Sequence, residues 1–312
     1  MGNRAIHLVL VLLIVTFGTM LLVDLVPGGI AYSILGDSAT PEQVARINRE
    51  LNLDASYLDR YTTWIGNVLS GDLGASFKTG RSVLDTIGSR LSVTVELLIL
   101  TQVLALVLSI PIGLYAAQRE GGLFDRSWSV ISSAMISVPP FVLALVLSYF
   151  FAVQMQLFPV VGWTPISGGL GENLKSLVLP ALALAAGEIA MYSRVLRSDA
   201  VSTMRNDYML AARSRGLAPS RLLFRHALRP SSLSLVTLGA LSLGRLIGGS
   251  VVVEVVFGLP GIGSLMIDSV LNSDLIVVQG IVLLVALAFV VANILIDLAY
   301  GYLDPRVRKG AV

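Results

Sequence analysis

The sequence predicts an all-α, polytopic membrane protein with six transmembrane helices, a large first outer loop and a cytoplasmic loop built around a short helix. Three observations predict it. Hydrophobic residues make up 55% of the 312 residues and charged residues only 13%, about half the charge of an ordinary soluble domain. A soluble chain this apolar has too little polar surface to cover its outside. Six stretches are long and apolar enough to cross a hydrocarbon core of roughly 30 Å, which takes about 20 residues of helix. Lys and Arg are distributed unevenly between the segments that join those stretches. The same composition excludes a disordered chain. The lack of cysteine excludes disulfides, thiolate metal sites and a thiol nucleophile. A formal charge of +2 is too small to suggest nucleic acid.

The first stretch runs from Ala5 to Val26 and carries Asp24 at its outer end. Arg4 before an apolar run also suits a secretory signal. The run from Leu8 to Val23 is long for one, and Pro27-Gly28-Gly29 offers no small-x-small cleavage pattern, so a retained span is expected. The second, about Leu91 to Gln118, contains Glu96 and Pro111. The third, Trp128 to Val153, is interrupted by Pro139-Pro140. The fourth, Leu174 to Ser193, is the weakest, with Lys175, Pro180 and Glu188. The fifth, Ser231 to Phe257, holds Arg245 and Glu254, and the sixth, Leu275 to Tyr300, carries Asp297. One side of the membrane then holds Arg4, Arg119, Arg126, the eight arginines from Arg194 to Arg229, Arg306, Arg308 and Lys309, fourteen in all. The other side holds Arg46, Arg49, Arg60, Lys78, Arg81, Arg90 and Lys175, which is seven. That bias puts both termini and the loop between spans four and five in the cytoplasm. Residues 1–90 are expected as the first span plus the outer loop. Residues 91–312 are expected as a five-helix core with a cytoplasmic loop at about 198–230 and a cytoplasmic tail.

Three connecting stretches carry patterns of their own. In the outer loop, Thr40-Pro41-Glu42 supplies an N-cap, a proline at N1 and an acidic first turn, predicting a helix from Pro41 to about Leu51. Tyr57 to Leu69 reads as an amphipathic helix with Leu58, Tyr61, Trp64, Ile65 and Val68 on one side. A lid over the outer mouth and a docking surface for an extracytoplasmic partner both fit. Between Arg194 and Pro230 there are eight arginines against Asp199 and Asp207. Asp207 is positioned to cap a short helix carrying Tyr208, Ala211, Ala212 and Arg215 at i, i+3, i+4 and i+7. Gly216 fits the position that ends such a helix with positive φ, and Pro219 opens a second short helix with Leu222, Leu223 and Leu228. A cationic loop on anionic lipid and a small-residue face that lets another protein approach both fit. The third stretch runs from Phe257 to Leu265. Four of its six residues from Gly258 to Gly263 are Gly or Pro, so its backbone must sit in protein or line water. A re-entrant outer segment and a surface hairpin of helices both fit.

Catalytic parts are missing. None of the three lysines, Lys78, Lys175 and Lys309, follows a glycine, so there is no Gly-Lys-Ser/Thr phosphate loop. His7 and His226 belong to no HExxH pattern, and no Gly-x-Ser-x-Gly elbow lies near a usable histidine. No catalytic residue and no metal site are expected. The membrane acids Glu96, Glu188, Glu254 and Asp297, with Arg245, remain. Each must face the bundle or water, because a charge at a helix centre costs about 2.5–3.5 kcal/mol on insertion scales. Arg245 and Glu254 are nine residues apart, on opposite faces and about 13 Å apart along the axis, so Arg245 needs an acid from another helix. A polar transport path, including a proton relay of a secondary transporter, and satisfied interhelical pairs are the two readings.

Ala211-Ala212 followed by Gly216 resembles the EAA loop of ABC importer permeases. Asp207-Tyr208 … Ala212-Arg213-x-Arg215-Gly216-Leu217 … Arg225-His226-Ala227-Leu228 is similar to the dipeptide/oligopeptide/nickel branch of that family. Gly71-Asp72-Leu73-Gly74-x-Ser76-Phe77 fits the same branch, as does Gly248-Gly249-Ser250-Val251-Val252-x-Glu254-x-Val256-Phe257-x-x-Pro260-Gly261-x-Gly263, and Leu303-Asp304-Pro305-Arg306 closes the pattern. The large outer loop is similar to that of the first, B-type, permease. Two departures stand out. Leu210 occupies the place of the general motif's glutamate, and the usual hydrophobic ending is His226-Ala-Leu228-Arg229-Pro230. The resemblance implies a bacterial plasma-membrane subunit paired with a homologous second permease. Two cytoplasmic ATPase subunits would bind ATP and Mg, since this chain itself holds no cofactor, and an extracytoplasmic binding protein would deliver substrate. It further implies that Asp207, Tyr208, Ala211, Ala212, Arg213, Arg215, Gly216, Leu217, Arg225 and His226 form the ATPase-coupling surface. Glu96, Glu188, Arg245, Glu254, Pro260, Gly261 and Gly263 are candidates for the pathway or gate. Dipeptides, oligopeptides, nickel chelates, glutathione and haem are the substrates found in the branch.

Overall fold

The computed structural model describes residues 2–24, 32, 35, 39–50, 55–218 and 221–303. Pro219, the stretch Pro27-Gly28-Gly29 and the Asp304-Pro305-Arg306 tail lie outside the described residues, as do the side chains of Arg4, His7, Asp24 and Asp297. The chain divides into two compact units, Met1–Ser92 with Gly261–Val291, and Val93–Pro260 with Ala292–Val312.

In the first unit, α1 (Gly2–Asp24) is followed by α2 (Pro41–Glu50) and α3 (Tyr57–Leu69). The start of α2 is a reciprocal capping box. The Gln43 amide N–H donates to Thr40 Oγ1 (3.3 Å) and the Thr40 N–H donates to Gln43 Oε1 (3.0 Å). Ser56 caps α3, its Oγ accepting from the Asp59 N–H. No side chain of α3 is fully buried. The helix instead lies on α1 through its tyrosines. Phe17 meets the rings of Tyr57 and Tyr61 edge-on at 4.7 and 5.2 Å, and the Tyr61 hydroxyl bonds Thr16 Oγ1 at 2.8 Å. After α3 the Gly71-Asp72-Leu73-Gly74 stretch makes a turn that needs left-handed backbone at Gly71 (φ +88) and Gly74 (φ +84). The turn leads into a small hairpin in which Ser76 donates to the Asp274 carboxylate. α4 (Val83–Gln118) starts here. Its residues Val83 and Ile87 pack with Ile262 and Leu265 of α10 (Ile262–Leu271) and Val277 and Ile281 of α11 (Leu275–Leu303).

The second unit is organised around α7 (Leu170–Met204). Some 67% of its most apolar stretch is buried, against 28–33% for the other long apolar helices. Around it pack α5 (Leu123–Ser137), α6 (Pro140–Leu147) with its π-helical extension Ser148–Gln154, and α9 (Leu228–Val256). Between α7 and α9 lies α8 (Asp207–Ser214).

Among the described residues, four helices are long and apolar enough to cross a membrane: Val83–Gln118, Leu170–Met204, Leu222–Val256 and Leu275–Ile294. The expected third span is not a straight helix. It breaks at Val138-Pro139, and the pieces Leu123–Ser137 and Pro140–Gln154 meet at 102°. The cause is local. Proline forces its predecessor into extended backbone, and Val138 sits at φ −86, ψ 123 and Pro139 at φ −59, ψ 140. The expected first span falls on α1, whose described apolar part is Leu10–Leu21. The fourth, weakest by sequence, is the most buried. Its Pro180 is buried.

Close approach of α4 and α7 depends on Gly113, where a Cβ would come within 2.8 Å of the Ser193 carbonyl oxygen. At Gly187, on α7, a Cβ would meet nothing within 4 Å. Gly113→Ala should lower stability by about 1–3 kcal/mol through overpacking, whereas Gly187→Ala should raise it by up to about 1 kcal/mol through helix propensity. Thermal unfolding of the purified protein in detergent distinguishes the two: the midpoint falls for the first substitution and holds or rises for the second.

Candidate coupling loop and polar groups within the spans

α8 is short, but both its ends are defined. Asn206, not Asp207, occupies the N-cap position, with extended backbone (φ −74, ψ 149) and no side-chain cap bond. Asp207 is the first helical residue, where a negative charge still suits the helix dipole. At the other end Gly216 takes φ +75, as its position in the sequence requires. The Gly216 N–H donates to the Arg213 carbonyl (2.9 Å) and the Leu217 N–H to the Ala212 carbonyl (3.4 Å), the two bonds of a Schellman motif. Leu217 and Ala212 close the motif by packing against Met209, Leu222 and Ala227. Met209 has no exposed surface, and this small core fixes the rotation of the helix. Tyr208, Leu210, Ala211, Arg213 and Arg215 are therefore turned outward, with Tyr208 47% and Leu210 62% exposed. The inner side belongs to Met209 and in part to Ala212, three residues on, so Ala212 faces inward while its neighbour Ala211 faces out.

The second short helix expected after Gly216 does not stand alone. From Arg221 the chain is helical without interruption to Val256, through a π-helical stretch Leu222–Ala227 into α9. Pro230 lies in the first turn of α9. A proline ring collides with the carbonyl four residues before it, and a widened π turn immediately upstream makes room for it. Arg225 is exposed on that turn and His226 half-buried.

Two ion pairs tie the end of α7 to the 119–126 stretch, neither expected from sequence. Arg197 Nε donates to Asp125 Oδ1 (2.5 Å) and its Nη2 to Asp125 Oδ2 (2.6 Å). Asp125 also accepts from the Gly121 N–H at 2.9 Å. Arg205 Nη2 reaches both carboxylate oxygens of Glu120, at 2.9 and 3.2 Å. The only available signal was opposite charge on loops at the same membrane face.

The polar residues within the spans fall into separate clusters. Arg245 of α9 finds its acid on α7. Its Nη2 lies 3.3 and 3.1 Å from the two Glu188 oxygens and 3.4 Å from Met191 Sδ. Glu254 has no exposed surface and accepts from Thr94 Oγ1 at 2.7 Å. Glu96 Oε2 accepts from Asn173 Nδ2 (2.9 Å) and Trp163 Nε1 (3.2 Å), linking α4 to the first turn of α7 and to the segment that leads into it. A fourth cluster had no signal in the sequence. The Tyr192 hydroxyl bonds Ser242 Oγ at 2.5 Å and accepts from Gln102 Nε2 at 3.1 Å, joining α4, α7 and α9. Gly239 belongs to the same contact, since a Cβ there would meet Gln102 Nε2 at 2.7 Å. Gly261 caps α10, and Gly263 is buried beside it. Pro260 is half-buried and ends the turn that Gly258 opens with φ +58. α10, at ten residues, is about 15 Å long, half the depth of the hydrocarbon core. Among the described residues no group of three or more His, Asp or Glu could hold a metal ion.

Apolar helices around isolated polar clusters, with one short capped helix presented on a connecting loop, define an all-α polytopic membrane protein. The chain belongs to the family of binding-protein-dependent transport system inner membrane components, and is a membrane permease subunit of an importer of that kind. The family's model matches residues 109–309, and the model of its N-terminal part matches residues 1–98. A probable peptide ABC transporter permease of Sinorhizobium fredii is 37% identical over 98% of both chains. The dipeptide transport system permease DppB of Alkalihalophilus pseudofirmus is 30% identical over 98% of each, and the glutathione transport system permease GsiC of Escherichia coli is 33% identical over 98% of this chain and 97% of its own. This membership lends no support to a proton-coupled secondary transporter.

The Asp125–Arg197 pair is two-pronged, with the acid side chain 9% and the arginine 32% exposed, whereas the Arg205–Glu120 pair is 72% and 45% exposed. Asp125→Asn should therefore cost about 2–3 kcal/mol, toward the range for buried pairs, and Glu120→Gln no more than about 1 kcal/mol. The melting midpoint of the detergent-solubilised protein, measured at low and high salt, tests this. Only the Glu120 contribution should fade with salt.

Proposed function

We propose that this chain is the first, B-type, of two homologous permease subunits in an ATP-driven importer of di- or oligopeptides or related small solutes, and that α8 is its coupling helix. In this reading both termini and the 194–230 loop are cytoplasmic. ATP and Mg bind to two partner ATPase subunits, and an extracytoplasmic binding protein delivers the cargo. The chain is a gate, not an enzyme. The observation that carries the reading is the outward face of α8. Met209 and Ala212 hold the helix against the start of Leu222–Val256, and the Schellman cap ends it at Gly216. The exposed side offers Tyr208, Leu210 and Ala211 for apolar contact and Arg213 and Arg215 for acids at the rim of a groove. Only Arg205 and Asn206 separate α7 from α8, so a push on α8 reaches the most buried helix of its unit with little compliance. The names of the relatives, peptide, dipeptide and glutathione permeases, support a peptide-like cargo.

Reconstitution tests the reading. Uptake of a dipeptide into proteoliposomes should require ATP, the two ATPases and the binding protein together, and a proton gradient alone should drive none. Ala211→Glu adds a charge to an exposed small position without touching the Met209 core. It should cut uptake at least tenfold, about 1.4 kcal/mol of coupling, and release the ATPases during purification while membrane insertion stays normal. Normal ATPase retention and stimulation with this substitution would remove α8 from the coupling role.

A further inference from the structure

Arg245 is held unlike Arg197, which gives Asp125 both Nε and Nη2. Its partner Glu188 is 10% exposed, but its own side chain is 55% exposed. All its described contacts, with Glu188 and with Met191, use the one nitrogen Nη2. Nε and Nη1, which flank Nη2 on the two edges that a guanidinium offers to a carboxylate, have no described partner. The residue lies eleven positions before the end of α9, or about 16 Å into the span, deep in the bilayer. It does not sit alone there. Leu241, Arg245, Gly248, Val252 and Val255 follow at steps of four, three, four and three and are all exposed, so they form one stripe down α9.

Hydrocarbon cannot be the solvent of that stripe, because a half-exposed guanidinium at this depth is heavily penalised and too far from either end to reach a headgroup. Glu188 neutralises one charge without enclosing the cation. We propose that this face of α9 lines the water-filled passage and that Arg245 is the contact for a carboxylate of the cargo, the C-terminal carboxylate of a short peptide. The inference rests on the peptide-importer reading and adds the chemistry by which the passage holds what it moves. A metal ion or a purely cationic solute would find nothing attractive at this position. A carboxylate would complete the arginine fork that Glu188 leaves open.

The absence of cysteine makes the test clean for this chain. Leu241→Cys places a thiol one turn from Arg245 on the same face, in the full importer reconstituted with its ATPases and binding protein. A charged thiosulfonate reagent should label it. Alanyl-alanine should slow the labelling, its C-terminal amide should not, and adding Arg245→Gln should abolish the protection. Uptake of the two peptides, normalised to the fraction of binding protein loaded, gives a second readout. The free-acid to amide ratio should fall about tenfold in Arg245→Gln and by a smaller factor in Arg245→Lys, which keeps the charge but not the fork. Arg245→Lys also keeps Glu188 paired and so guards against a variant that does not insert. An unlabelled Leu241→Cys thiol overturns the passage. Equal protection by acid and amide, or a ratio unmoved in both variants, overturns the carboxylate contact. Wild-type complex that takes up no dipeptide with ATP present overturns the importer reading itself, whereas normal wild-type uptake with an unmoved ratio sinks only the role of Arg245.

Discussion

Hydrocarbon offers no hydrogen bonds, and the arrangement of the second unit follows from that constraint. A Ser or Thr on a spanning helix can bond a carbonyl of its own helix, as Thr237 does, but a charged or amide side chain must find its partner on another helix or in water. Those partners decide which helices touch and at what height. Tyr192, Ser242 and Gln102 join three helices at one level. Thr94 and Glu254 join α4 and α9 at a second. Glu96, Asn173 and Trp163 fasten α4 to the first turn of α7 and the segment that leads into it. Apolar packing alone is a weak specifier among lipid tails that are equally apolar, and close contacts must come from small residues and polar pairs. At Gly113 the backbones of α4 and α7 come close, and at Gly239 the missing Cβ leaves room for the Gln102 amide. α7 takes part in most of these contacts, which is why it is the most buried helix of its unit despite being the least hydrophobic of the four long ones.

The same helix leads out of the membrane to α8. A rod that is buried along its spanning part and clamped at its end by Asp125 and Glu120 moves as a body or not at all, because packed interiors do not deform continuously. The clamp also joins the 119–126 stretch to that movement. On the return strand the chain runs from the π turn at Leu222 straight into α9. α8 is thus a short crossbar between two long helices, and its small core of Met209, Leu222 and Ala227 makes crossbar and uprights one piece. Sites far apart in such a unit are coupled through stiffness, without any need for a relay of individual side chains.

Local features were legible in the sequence and geometric ones were not. The Thr40 box, the positive φ at Gly216 and the apolar stretches follow from residue type and spacing, because capping bonds and helix periodicity act within a few residues. The 102° bend was half legible. Pro139-Pro140 marks a break, but the angle is set by what α6 packs against. The reverse holds just before the fifth span. The short helix that the sequence predicts around Leu222, Leu223 and Leu228 is not separate from the span predicted to start at Ser231, because a π turn absorbs Pro230 and the helix continues. The shift of the N-cap from Asp207 to Asn206 is a one-residue error between two good capping residues. Arg245 was known to need an acid from another helix, but Glu188, 57 residues away, could not be singled out among the remaining acids. The Tyr192 cluster left no mark, because tyrosine, serine and glutamine in an apolar run carry no pairing code.

Two arginine–carboxylate pairs show how far geometry separates structure from availability. Arg197 gives Asp125 two nitrogens at 2.5 and 2.6 Å, and a backbone N–H supplements them. The acid is saturated, the fork is used, and the pair is a fastening. Arg245 gives Glu188 one nitrogen at 3.1 and 3.3 Å. That contact suffices to keep a buried acid from being left unpaired, the costly alternative, but it leaves most of the cation's donors free. A fastening of that kind would waste the fork. In the reading proposed above, that open pose serves a carboxylate that visits it. The water that solvates Arg245 between such visits must then reach the middle of the membrane, so the open fork is at once an argument for a ligand and an argument for the passage.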